Sequence, residues 1–400
     1  MKIKLGVIFG GESVEHEISI ITAIQAMNSL DQDKYEIIPI YISKDRIWYT
    51  GKMLMELDVY KDFNELKRYA NKVTLVKDED GFYLMKTKGM FHRKLQELDI
   101  VFPIVHGKGV EDGSLAGFLE TIGIPYVGPS MLGAALGQDK VVMKQVMEAN
   151  NIPVPKYTWF YDTEYLNNSK NILDNIKKLG YPVIVKPANL GSSIGITVVK
   201  EEKDIISAID EAINYDNKIV VEKVIDNLLE VNCSVTGNYE YQEASVIDEI
   251  IPKHDFLTFN DKYLGNAKKG KLKTPLKGSK GSKGMAATDR IIPARISEKL
   301  ANEVTKLAKE TFVALNLKGI ARIDFLLDKK NEKIYVNEPN TIPGSLAFYL
   351  WAPKGVSYEA LLDDAIKTAI REYKNNAKKT TSFESNVLSN FGNGLKGIKK

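Results

Sequence analysis

The chain has 400 residues, 44% hydrophobic and 27% charged, ordinary figures for a globular protein of two or three domains. Its net charge of +3 gives no bulk attraction to nucleic acid or to a membrane surface. The single cysteine, Cys233, excludes an intrachain disulfide and makes a zinc cluster a poor reading, and no apolar run approaches the roughly 18 residues of a membrane span. The opening KIKLGVIFGG lacks the cleavage pattern of a signal peptide, so the expected location is the cytoplasm.

KLGVIFGG reads as a buried strand ending in two glycines. ESVEHEISIITAIQAMNSL follows as a helix with Ser13 as N-cap, and YEIIPIYIS as a second apolar strand. Strand, glycine turn, helix and strand open a doubly wound α/β domain, whose ligands gather at the carboxyl ends of the strands, beside Gly10, Gly11 and Glu15. LQELDIVFPIVHGKGVEDGS gives a further strand and a glycine-punctuated polar loop holding His106, Glu111 and Asp112. From about Ser130 the character changes. The stretch from Met131 is expected to be a helix with Lys140 near its middle, stopped by Asn-Asn-Ile-Pro.

YPVIVKPANLGSSIGITVV reads as a strand, a Gly-Ser loop and a strand, with Lys186 at the end of the first. Backbone N–H groups of such a loop suit phosphate, although the lysine precedes the glycines and the loop is not a P-loop. In IVVEKVI, Glu222 and Lys223 interrupt a buried run at its end, a place for hydrogen bonds to a base or ribose, and Glu230 opens the next strand. Cys233 in LEVNCSVTG reads as a small core residue.

GIARIDFLLDKKNEKIYVNEPNTIPGS reads as a hairpin. Strand alternation puts Arg322 and Asp324 on one face, and Glu338 and Asn340 on one face of the return strand. With the turn centred near Asn331, Asp324 falls opposite Glu338. Hard oxygen ligands in that arrangement suit Mg²⁺, and the neighbouring guanidinium suits an anion that gains charge. Pro339 has no N–H, so its strand must lie at an edge or end there. SYEALLDDAIKTAIREY reads as an amphipathic helix, and the polar stretch after it as a loose tail.

The order Lys140, Lys186, Gly-Ser-Ser, Glu222-Lys223, Glu230, Asp324, Glu338, Asn340 resembles the ATP-grasp superfamily, and within it the D-alanine–D-alanine ligase family. The resemblance spans Lys2 to about Arg371 and rests on GGESVEHEIS, HGKGVEDGSLAGFLE, GYPVIVKPANLGSSIG, VVEKVI, FNDKY, RIDF and NEPNTIPG. It implies an ATP-grasp fold behind an N-terminal α/β domain. The expected parts are an amino-acid domain over 1–129, a central lobe over 130–221, a C-terminal lobe over 222–375 with a lid at about 255–290, and a polar tail over 376–400. The resemblance implies that Lys140 and Lys186 hold the ATP phosphates, that Glu222, Lys223 and Ile225 form the adenine hinge, and that Glu230 takes the ribose. It implies that Asp324, Glu338 and Asn340 bind two Mg²⁺ (or Mn²⁺) ions, and that Arg322 and Gly344 hold the reacting carboxylate and the tetrahedral oxygen. Glu15, Ser192 and Tyr263 would fix the first amino acid, Lys262 would reach the γ-phosphate from the lid, and His106 would be an active-site histidine.

The implied activity joins two D-alanines through an acylphosphate, using ATP, for peptidoglycan synthesis, in a cytoplasmic homodimer with no nucleic-acid or membrane partner. Tyr263 favours an amine as second substrate. Two departures stand out. GNAKKGKLKTPLKGSKGSKGMAATDR is longer and more basic than the usual lid. PGSLAFYLW replaces the usual sequence near the second substrate, where Ser345, Tyr349 and Leu350 are expected. The alternatives are a ligase for another amino-acid or hydroxy-acid pair, such as D-alanine with D-serine or D-lactate, and a non-catalytic ATP-binding protein on the same fold.

Overall fold

The computed structural model describes residues 2–87, 93–191, 194–251 and 290–382. Ser192, Lys262, Tyr263, the Lys-Gly run and the end of the tail lie outside the described residues.

Three sheets organise the described residues. The first is built from β1 (Ile3–Gly10), β2 (Tyr35–Ile42), β3 (Trp48–Thr50), β4 (Asn71–Asp78), β5 (Gly81–Lys86), β6 (Lys94–Leu98) and β7 (Ile100–Val105), in the order β6-β5-β4-β3-β2-β1-β7. β1 runs parallel to β2 and β7, and the remaining pairs are antiparallel. The unbroken apolar runs of β1 and β7 are buried along almost their whole length, as parallel strands covered on both faces require. Helix α1 (His16–Ser29) is the crossover between β1 and β2. The doubly wound expectation thus describes the parallel part of the sheet, and antiparallel strands extend it. LQELDIVFPIV forms two strands, broken at Asp99, where one was expected.

Helix α1 starts at His16 with Glu15 in the cap position, and Ser13 acts one turn earlier, its Oγ accepting from Glu15 N at 2.9 Å. The single helix expected around Lys140 is two helices, α4 (Met131–Gln138) and α5 (Lys140–Ala149). Between them Asp139 caps α5, its carboxylate accepting from Val141 N and Val142 N, so Lys140 stands at a helix start. Helix α2 (Phe63–Tyr69) and helix α3 (Ser114–Ile122) complete the N-terminal elements.

The second sheet is antiparallel, order β10-β9-β11-β8, from β8 (Tyr157–Tyr161), β9 (Val183–Pro187), β10 (Thr197–Val199) and β11 (Lys218–Lys223). Its apolar face packs on α6 (Asp162–Leu179) and α7 (Ile205–Ile213). The third is antiparallel, order β14-β13-β12-β15-β16, from β12 (Leu228–Gly237), β13 (Gln242–Ile250), β14 (Arg290–Ile291), β15 (Gly319–Asp328) and β16 (Lys333–Asn340), with α8 (Glu298–Ala314) behind it. β16 is the edge strand, which accommodates Pro339. Cys233 is fully buried in β12, and burial pushes its thiol up to about 12, so it is a core residue.

The segment after β16 does not stay with its own sheet. Leu346, Leu350, Trp351 and the buried face of α9 (Tyr358–Asn376) join the hydrophobic core of the first sheet. Trp351 Nε1 donates to Ser234 Oγ at 3.1 Å and ties that core back to β12. The ends of the three sheets therefore converge on one cleft.

Candidate active site

The cleft encloses about 70 Å3 and brings together Glu15, His106, Lys140, Arg322, Glu338, Asn340 and Gly344 from the expected set. Its floor is the β15–β16 hairpin. Asp324 pairs with Glu338 and Arg322 with Asn340, the register expected from the turn. A bulge follows Asp324. Arg322 is buried and grips Asp324 through two hydrogen bonds, Nε to Oδ1 at 2.7 Å and Nη2 to Oδ2 at 2.8 Å. Asn340 Nδ2 donates to Asp324 Oδ2 at 3.0 Å. Burial opposes the charge on Arg322, but Asp324 and the other anions around it raise the guanidinium well above its ordinary value, so it stays charged.

The same row continues across the sheet. Asn232 on β12 pairs with Asp324 on one side and with Asp248 on the other. Asp248 is fully buried and its carboxyl is raised by burial, with the Arg290 Nη1 donating to Oδ2 at 2.7 Å. The Arg290 guanidinium lies 3.9 Å from the centre of the Tyr349 ring. Neither Asp248 nor Arg290 stands out in the sequence, because their roles depend on strand register. Glu230 pairs with Leu326, two residues along from Asp324, and so shares its sheet face.

Lysines approach the hairpin from above. Lys140 Nζ lies 3.5 Å from Glu338 Oε2 and donates to Leu190 O at 2.8 Å, reaching from the start of α5 to the glycine loop. Lys186 is buried on β9, where its Nζ donates to Glu222 Oε2 at 3.0 Å and to Asn337 Oδ1 at 3.4 Å. A lysine that sequence reasoning missed, Lys144, is wholly buried and stands 3.3 Å from the other Glu222 oxygen. Burial by itself would raise the Glu222 carboxyl, and Lys144 and Lys186 hold it below its ordinary value. The readable signal for Lys144 was its position four residues after Lys140, on the same helix face. The Lys223 ammonium donates to Gly180 O and Tyr181 O at 3.1 and 3.0 Å, tying the end of β11 to the turn before β9. Ile225 follows in the partly buried stretch between β11 and β12.

The third wall belongs to the first sheet. Gly107 has φ +87°, and a Cβ there would lie 2.3 Å from Ser13 Oγ and 3.2 Å from Glu15 Oε2, so only glycine lets this loop pass the start of α1. A Cβ on Gly191 would lie 3.4 Å from the same Glu15 oxygen, which places Glu15 against the Gly-Ser loop. His106 is buried, and burial lowers its imidazole below the ordinary value. Its Nε2 lies 3.4 Å from Thr22 Oγ1, which accepts from Ser345 N at 3.0 Å. The His106 ring also bonds to the Ile342 backbone. Glu111 accepts from Gly107 N at 2.9 Å, Thr341 Oγ1 at 3.0 Å and Ile342 N at 3.1 Å, and burial followed by the Glu15 charge raises it to about 7. After Gly344, three non-glycine residues in succession, Ser345, Leu346 and Ala347, take φ of 53°, 47° and 50°. Tyr349 is partly buried and Leu350 wholly buried in the adjoining core.

Among the described residues no group of three or more His, Cys, Asp and Glu side chains forms a ready-made metal cage. The donors at the hairpin, two carboxylates and an amide oxygen, are instead the incomplete hard-oxygen set that fits Mg²⁺ sharing its shell with phosphates and water. Cationic lysines over a carboxylate pair, beside a buried arginine and a glycine loop, are the chemistry that suits a polyphosphate next to a small anion.

Comparison with known proteins agrees. The family model described as D-ala D-ala ligase N-terminus matches residues 4–129, and that described as D-ala D-ala ligase C-terminus matches 146–283 and 277–367. A D-alanine--D-alanine ligase of Thermosipho melanesiensis is 40% identical over 388 residues, 96% of this chain and 98% of that one. The structure of the D-alanine-D-alanine ligase from Coxiella burnetii superposes with a TM-score of 0.76 at 29% identity, over 94% of this chain and 96% of that one. The VanG D-Ala:D-Ser ligase from Enterococcus faecalis gives 0.75 at 29% identity, over 92% and 100%. The fold is ATP-grasp. The chain belongs to the D-alanine–D-alanine ligase family.

Proposed function

We propose that the protein joins two D-alanines into D-alanyl-D-alanine with hydrolysis of ATP to ADP and phosphate, supplying peptidoglycan synthesis. The observation that carries this is the pairing of Asp324 with Glu338 beneath Lys140, with Arg322 alongside. ATP enters as a substrate between the second and third sheets. Lys140 and Lys186 neutralise its phosphates, the Glu222–Lys223–Ile225 stretch receives the adenine, and Glu230 the ribose. Asp324, Glu338 and Asn340 would hold two Mg²⁺ ions, which would supply charge neutralisation at the transferred phosphoryl group.

Glu15 would receive the ammonium of the first D-alanine, a role supported by its nearness to Gly191 of the Gly-Ser loop. The carboxylate of that first D-alanine attacks the γ-phosphorus, ADP leaves, and an acylphosphate of the substrate forms. The amine of the second D-alanine then attacks the acyl carbon, and Arg322 and the Gly344 N–H take up the charge that gathers on the carbonyl oxygen. Phosphate leaves and an amide remains. Tyr349, and Leu350 through its backbone, border the second amino acid. Positioning and exclusion of water do most of this work, since an acylphosphate hydrolyses readily. The roles of Ser192, Lys262 and Tyr263 rest on the family resemblance alone. We further propose that the parts divide as 1–129, 130–221, 222–375 with its lid at about 255–290, and 376–400, and that the protein works as a cytoplasmic homodimer. No described helix is long and apolar enough to cross a membrane.

The test is mass-spectrometric detection of product from ATP, Mg²⁺ and single or paired amino acids. D-alanine alone should give D-alanyl-D-alanine, and L-alanine none. The likeness to a D-Ala:D-Ser ligase motivates a second reading, D-serine as the second substrate. A mixed product dominating at equal D-alanine and D-serine would favour it.

A further inference from the structure

We propose that Lys144 is a positioning residue for the nucleotide: it takes one oxygen of Glu222 and so leaves the Lys186 ammonium with uncompensated positive charge to offer a phosphate. The inference rests on the reading of this site as the ATP site.

Glu222 is 1% exposed and Lys144 wholly buried. The carboxylate meets Lys186 at 3.0 Å through Oε2 and Lys144 at 3.3 Å through Oε1. One buried anion therefore serves two cations. Had Lys186 and Glu222 been alone, they would form a closed neutral pair, and a phosphate would have to compete with the carboxylate for the ammonium. Burial lowers the Lys144 ammonium from its ordinary value and Glu222 supports it; with Lys144 protonated the three side chains sum to one positive charge, and Glu222 is drawn from both sides.

Geometry decides where that charge is available. Lys144 lies under the sheet, with the Tyr157 ring centre 5.9 Å from its Nζ, and among the described residues it has no hydrogen-bond partner beyond the Glu222 ion pair. It has no route to a ligand. Lys186 has a second contact, Asn337 Oδ1 at 3.4 Å, on the residue before the Glu338 carboxylate. Excess charge is thus expressed at Lys186, toward Asn337 and the β16 strand that carries Glu338. Burying an ammonium is costly even when it is paired, so Lys144 is a poor choice for stability alone. Its place four residues after Lys140 means that one helix delivers both, Lys140 directly to the cleft and Lys144 from behind.

The experiment uses the whole protein and measures equilibrium affinity for ATP, without amino acid, at two salt concentrations. Adenosine serves as a phosphate-free probe. Lys144→Gln keeps an N–H for Glu222 but removes the charge, and Lys144→Arg keeps the charge. We expect Lys144→Gln to bind ATP about tenfold more weakly with a shallower salt dependence, to bind adenosine unchanged, and Lys144→Arg to stay within about threefold of the parent. If Lys144→Gln does not fold, Lys144→Met carries the same expectation. Parent-like ATP binding by the neutral variant, or equal weakening of ATP and adenosine, would overturn the inference while leaving the ATP reading intact. Failure of the parent itself to bind ATP would overturn both.

Discussion

Asp324 and Glu338 stand directly opposite each other on β15 and β16, two carboxylates as cross-strand partners. Like charges in that position repel, and Arg322 answers them by gripping Asp324 with both ends of its guanidinium. Replacing Arg322 with Met leaves a partly buried carboxylate pair short of its counter-charge. We expect a loss of about 3 kcal/mol in urea denaturation, and recovery of part of it when Mg²⁺ is added. Glu338→Gln relieves the repulsion instead. It also removes the charge facing the buried Lys140 ammonium, so the two effects on stability should cancel to within about 1 kcal/mol, while kcat falls by about a hundredfold or more and more Mg²⁺ is needed for half-maximal rate.

Glu111 makes stability depend on pH in an unusual direction. Its folded value is raised to about 7, above the ordinary 4.5, by burial and then by the Glu15 charge. The protonated form is favoured by folding, so its contribution is fully present below about pH 4.5 and is lost as pH rises through about 7. Up to about 3 kcal/mol of unfolding free energy should disappear over that window. Denaturation curves at pH 5 and pH 8 should differ less in Glu111→Gln than in the parent. An equal slope in both would remove Glu111 as the cause.

Thr22 links His106 to the backbone of Ser345. Thr22→Val keeps the shape and removes both bonds. The segment after Gly344 then loses one anchor where the second amino acid is proposed to sit. The KM for that second substrate should rise several-fold, with the KM for ATP within about twofold. Steady-state kinetics over both substrates separates the two.

Ser345 combines two costs. Its φ of 53° lies in the left-handed region, and its buried Oγ has no hydrogen-bond partner among the described residues. Ser345→Gly removes the strain and the orphan hydroxyl, at the expense of a more flexible unfolded chain. A gain of about 1 kcal/mol in thermal unfolding is expected, where serine to glycine ordinarily costs stability.

How far these features can be read without coordinates depends on the distance over which they form. The Asp324–Glu338 register follows from counting back from the Asn331 turn, because a hairpin is local. Pro339 announced an edge strand, and β16 is one. The break between α4 and α5 was missed although Asp139 before Lys140 is an N-cap signal, since the apolar spacing runs through it unbroken. Glu111 drew notice only as a polar loop residue. What raises it is burial beside Glu15, and the residues that close over it and partly offset the rise with their hydrogen bonds, Thr341 and Ile342, stand some 230 positions away, which no local pattern encodes. The same holds for Asp248, whose neighbours are set by pairing across β12. Nor does periodicity reveal that Leu346 to Ile366 pack into the first sheet's core, away from their own.

In the proposed reaction a carboxylate of the first D-alanine takes the γ-phosphoryl group above Asp324 and Glu338. It is tested most directly with D-alanine labelled with 18O in its carboxylate, ATP and Mg²⁺, by mass analysis of the phosphate released. One labelled oxygen should appear in the phosphate for each D-alanyl-D-alanine formed. Unlabelled phosphate alongside dipeptide would contradict the acylphosphate, and with it the roles assigned to the residues that surround it.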